Sequence, residues 1–116
     1  MQTTFVALEH VIDVIGHVAG VHLPELPALT TLLVWTANSS YRLVATGGSN
    51  VYVQGGTCFT DPTAACVDGA RIGSSLLRVG WIGVGFGMEI RARGRVISTS
   101  PVRAIATEAP GIPTVH

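Results

Sequence analysis

The pattern of hydrophobic and polar positions changes period once along this chain. Near the N-terminus, Glu9, His10, Asp13, Gly16, His17 and Gly20 fall within an arc of about 120° at helical spacing. Ala7, Leu8, Val11, Ile12, Val14, Ile15, Val18 and Ala19 fill the opposite side. This predicts an amphipathic helix over 4–19, capped by Thr3 or Thr4 and ended by Gly20. The Val and Ile content also suits a strand, but the unbroken polar arc favours the helix. Leu23-Pro24-Glu25-Leu26-Pro27 then breaks the period, so 20–28 is expected to be a connector.

From Leu29 onward, short apolar runs punctuated by glycine predict strands. They fall at 29–36, 40–46 and 51–54, the last two joined by a turn at Gly47-Gly48-Ser49-Asn50. Residues 57–73 carry Asp-Pro and Asp-Gly and are expected to be irregular. A long strand follows over 75–92, then a turn at Arg93-Gly94 and strands at 96–98 and 102–107. Residues 108–116, with Pro110 and Pro113, are expected to form an extended or disordered tail. The expected fold is a single α+β domain over 1–116, mostly β. In it an N-terminal amphipathic helix precedes a small antiparallel β-barrel or sandwich over 29–107.

Within the long predicted strand, 79–93 reads with period two. Ile82, Val84, Phe86, Met88, Ile90 and Ala92 fall on one face; Trp81, Gly83, Gly85, Gly87, Glu89, Arg91 and Arg93 fall on the other. The apolar face is expected to enter the core. The bare glycine stripe is expected to receive another backbone at close range. Gly83-Val84-Gly85-Phe86-Gly87 does not match the spacing of a dinucleotide fingerprint, and the strand pattern continues where that motif needs a helix.

Composition sharpens this picture. Charged residues are 12% of the chain, where about 25% is usual, and hydrophobic residues are 47%. A small domain with so little charge is expected to bury part of its surface against copies of itself. Net charge is zero and all seven basic residues are arginine. Without lysine there is no Schiff base and no phosphate-loop ammonium, and no cofactor is expected. The neutral balance speaks against nucleic acid as a partner. No stretch reaches the roughly 18 apolar residues of a membrane helix. With no basic region before an apolar run at the N-terminus, a cytoplasmic protein is expected. Cys58 and Cys66 are expected to be separate thiols rather than a disulfide.

Three groups of residues are candidates for chemistry. Arg91, Arg93 and Arg95 share a parity near a turn and are the candidate anchors for a small anionic ligand. His10, Asp13 and His17 lie on the polar side of the predicted helix, with Glu9 or His22 as further ligands for zinc. Such spacing arises easily on an exposed helix face, so no metal is expected. Asp61 and Asp68 lie in the predicted irregular stretch, where plain turn roles before Pro62 and Gly69 also account for them. No nucleophile elbow or zinc-protease motif is present. The reading is a non-enzymatic structural or interaction module that self-associates through an apolar surface. The alternative is a small β-barrel that binds or transforms a small anionic ligand.

Overall fold

The structure, a computed structural model, describes residues 17–108. The chain forms β1 (His17–Val18), β2 (Gly20–His22), a 3-10 turn (Leu23–Glu25), β3 (Thr31–Thr36) and β4 (Ser40–Gly47). There follow β5 (Asn50–Gly55), β6 (Phe59–Arg71), β7 (Leu77–Val79) and β8 (Trp81–Gly83). Three strands complete it: β9 (Gly87–Ala92), β10 (Arg95–Ser98) and β11 (Val102–Glu108). The fold is mostly antiparallel β-sheet, with no α-helix among the described residues.

Nine strands form one sheet in the order β1-β11-β3-β4-β5-β6-β9-β10, with β7 beside the end of β6. β2 and β8 form a separate two-stranded ribbon. One face of the large sheet is apolar by simple alternation. Leu32 and Val34 of β3, Leu43 of β4, Val51 and Val53 of β5, and Met88 and Ile90 of β9 are all buried together. Leu23, Val21 and Ile82, from the ribbon and the turn beside it, enter the same cluster. Burial of these aliphatic side chains is the main driving force for the sheet.

Several expectations are corrected. The helix predicted over 4–19 ends in residues that are extended instead: His17 and Val18 pair with Ala106 and Ile105 of β11. Their β-branched neighbours suit that pairing, and residues 4–16 of the predicted helix lie outside the described residues, as does most of the predicted tail, 109–116. Glu108 itself pairs with Thr31. The expected connector 20–28 contains a strand and a helical turn, and its Leu23 is buried in the core.

The expected barrel does not close: among the described residues no ladder joins β10 to β1 or β11. Instead, Val84 makes one parallel bridge to Val102. Beside it, the Gly85 amide donates to the Val102 carbonyl at 2.8 Å and the Val102 amide to the Phe86 carbonyl at 2.9 Å.

The segment expected to be irregular, 57–73, contains the longest strand. β6 pairs with β5 through Phe59–Cys66 and with β9 through Cys66–Arg71. Pro62 is tolerated because its part of β6 has a partner on one side only, and the register shifts between Phe59 and Thr63. The strand expected over 75–92 is broken twice, at Gly80 (φ 76°) and Gly85 (φ 98°), giving β7, β8 and β9.

Candidate functional site

The arginine row lies where β9 turns into β10. Arg93 (φ 54°) and Gly94 (φ 75°) both occupy the left-handed region, the signature of a tight two-residue hairpin turn. Arg91 and Arg95 therefore stand on adjacent strands; Arg93 at the turn lines one cavity with Arg91 and another with Arg95.

Arg91 is directly opposite Cys66 of β6, so both side chains stand on the solvent face. A register shift between Val67 and Gly69 makes Asp68 the extra residue of a bulge beside β9. The Asp68 carboxylate accepts from Arg91 Nη2 at 2.9 Å and from Nε at 3.2 Å, a forked ion pair. Cys66 Sγ lies 3.6 Å from both Arg91 Nη2 and Asp68 Oδ1. Burial pushes the Cys66 thiol up, the neighbouring Asp68 charge adds to this, and Arg91 offsets only part. Cys66 is therefore a neutral thiol donating to Asp68, poorly suited to nucleophilic attack. Arg91 is committed to Asp68, as Arg71 is to Glu89 at 2.7 Å, and it makes a weaker anion anchor than the sequence suggests.

The Arg91 hydrogen bonds hold the Asp68 carboxyl below its ordinary value of 3.8. A depressed carboxylate stabilises the fold above its unfolded pKa, and this contribution disappears as pH falls through the folded value. Thermal unfolding between about pH 5 and pH 2 should therefore show a steeper acid loss for the native protein than for Asp68→Asn. The difference should be small, because the Arg91 side chain is 56% exposed. Parallel curves across that range would show that the pair contributes nothing.

Arg93 donates to Thr63 Oγ1 at 3.3 Å. Arg93 and Arg95 line a cavity of about 290 Å³ with Thr57, Cys58, Phe59 and Ile97. Cys58 lies in the turn before β6 and Cys66 far along that strand, roughly 25 Å away at strand rise, so the two thiols are free.

Of the metal candidates, Glu9, His10 and Asp13 lie outside the described residues, and His17 opens β1. His22 contacts Glu25 at 3.2 Å and stacks on Trp81 at 5.2 Å between ring centroids. Among the described residues no three His, Cys, Asp or Glu side chains gather as a metal site. Nor is any helix there long and apolar enough to cross a membrane.

Sequence reasoning missed a second surface. Val84 and Phe86, assigned to the core by parity, are exposed. The positive φ of Gly85 reverses the pleat, so the residues on either side leave the face taken by Ile82 and Met88. With Ile72, Trp81 and Arg78 they line an apolar cavity of about 300 Å³. The Arg78 guanidinium lies 4.0 Å over the Trp81 ring and covers part of it. Close backbone approach to the glycine stripe is found at Gly87 alone, where a Cβ would sit 2.6 Å from the Thr99 carbonyl oxygen. Gly83 faces the Phe86 ring, and Gly85 meets nothing.

No known protein family matches the chain, and no curated protein or solved structure matches it either.

Proposed function

We propose that this protein is a structural or interaction module that assembles with copies of itself through the apolar surface around β7 and β8. The carrying observation is the crowding of exposed apolar side chains there. Leu76 is 64% exposed and Val79 70% on the β6–β7 hairpin, and Ile72, Val84 and Phe86 are exposed around the cavity beside Trp81. Ile72 and Leu76 close the β6–β7 hairpin, where the Ile72 amide donates to the Leu76 carbonyl at 3.0 Å. Ile72 belongs both to that hairpin and to the lining of the cavity beside Trp81. Arg78 is the charged residue lining that cavity, and its guanidinium lies against the face of the Trp81 ring.

Apolar area of this kind costs free energy in water and gains it when covered. A second copy is the favoured occupant because a self-complementary apolar patch closes by two-fold symmetry without needing matched charges. β7 adds to this: it pairs only with β6 among the described strands, which leaves one edge open. Two free thiols fit a cytoplasmic assembly.

Light scattering behind a sizing column at micromolar concentration should report a multimer. Leu76→Asp with Val79→Asp should convert it to monomer at unchanged thermal stability of the fold, since neither side chain belongs to the core. A native protein that elutes as a monomer would remove the proposal. A double variant that stays multimeric would remove this surface as the interface.

A further inference from the structure

The cavity between the β9–β10 hairpin and the β5–β6 turn has a chemistry distinct from the apolar surface. The geometry points to a binding site for a small phosphate-class oxyanion held by Arg93 and Arg95, with Arg91 excluded from it. Four observations support this. Arg93 and Arg95 line the same cavity from two sides of one tight turn, and no carboxylate lines it with them. Of the carboxylates on the neighbouring strands, Asp68 is engaged by Arg91 and Glu89 by Arg71, while Asp61 of β6 makes no ion pair with either arginine and does not line the cavity. Arg95 makes no ion pair among the described residues, and Arg93 makes only the long contact to the Thr63 hydroxyl. Finally, the wall beneath is apolar, formed by buried Phe59 and by Ile97, which packs on the core.

Two uncompensated guanidiniums beside an apolar wall repel each other less when a dianion lies between them. Their planar forks match the paired oxygens of a phosphate or carboxylate. A dianion gains from both forks, which places phosphate before a single carboxylate. The hairpin fixes the backbone from which the two arginines project, because the turn is set by its two left-handed residues. Thr57, from the turn before β6, also lines the cavity.

Cys58, exposed at that cavity, is a built-in reporter of the local field. In a Cys66→Ser background, its alkylation by anionic iodoacetate is compared with that by neutral iodoacetamide. The anionic reagent should be favoured relative to the same ratio in Arg93→Gln/Arg95→Gln, by about threefold or more, since focused charge raises local anion concentration. Inorganic phosphate should suppress the iodoacetate reaction more than sodium chloride does at equal ionic strength, which separates occupancy from screening. On the protein with both cysteines, phosphate titration followed by amide chemical shifts should move Arg95 and Ile97, and the arginine variant should lose this response. A reagent ratio unchanged by the arginine substitutions would overturn the site. So would phosphate and chloride acting identically with no shift at Arg95.

Discussion

Gly55→Ala is expected to be among the most damaging single substitutions in the described chain, lowering stability by at least about 3 kcal/mol. Gly55 ends β5 with φ 133°, a backbone conformation that L side chains rarely adopt. A Cβ built there would run into the Ser40 carbonyl oxygen and would lie 2.9 Å from the Tyr41 Cα, both of them backbone atoms of the paired strand. A flexible side chain could swing away; a hydrogen-bonded strand cannot. Relief requires β4 and β5 to separate where Gly55 pairs with Tyr41, and the adjoining Gly55–Phe59 pair would open with it. For a domain of this size such a loss corresponds to roughly 15 °C or more in Tm. Gly73→Ala is the control: its Cβ would meet nothing within 4 Å, so it should change stability by no more than about 0.5 kcal/mol. Equal Tm values for the two variants would contradict the β4–β5 register.

Ile90→Ala should cost about 2–5 kcal/mol, measured as a fall in the denaturant midpoint at unchanged slope. Ile90 is wholly buried and stands between Val67 of β6 and Ile97 of β10 in the sheet. Those neighbours are held by their own ladders, so the space left by the missing carbons closes only in part. Ile90→Val should cost about 0.5–1.5 kcal/mol, because it removes a single methyl group. Val96 lies one residue from Ile97 on the same strand but is 58% exposed, and its replacement by Ala should stay within about 0.5 kcal/mol. If Ile90→Ala behaves like Val96→Ala, the two faces of β9 and β10 have been assigned the wrong way round.

The hairpin at 40–54 was readable because three local signals agree there: alternation on both sides, a glycine pair between them, and β-branched residues flanking it. The observed strands Ser40–Gly47 and Asn50–Gly55 match it closely. The Arg93-Gly94 turn was readable for the same reason. β6 was not, because Asp-Pro and Asp-Gly are strong local breakers. They are overruled by neighbours that only the folded chain supplies, β5 along one half and β9 and β7 along the other. In the run 79–93 the strand breaks at Gly80 and Gly85, and of the glycine stripe only Gly87 receives a neighbouring backbone. Ile82, Met88, Ile90 and Ala92 are buried as parity requires, but Gly80 and Gly85 turn the backbone and carry Val84 and Phe86 outside.

The arginines show the same division. Their identity, their number and their place beside a turn follow from the residues alone. That Arg91 is neutralised by Asp68, 23 residues away, while Arg93 and Arg95 share a cavity, depends on which strand lies beside which.

By itself the sequence determined that this chain is mostly antiparallel β-structure with few charges, because period and turn chemistry are local properties. Tertiary structure alone decided that the sheet stays open, that β6 is a strand, and which apolar side chains remain outside. Those outcomes rest on contacts between distant segments, whose gain in buried area and paired backbone exceeds the local preferences of any single stretch.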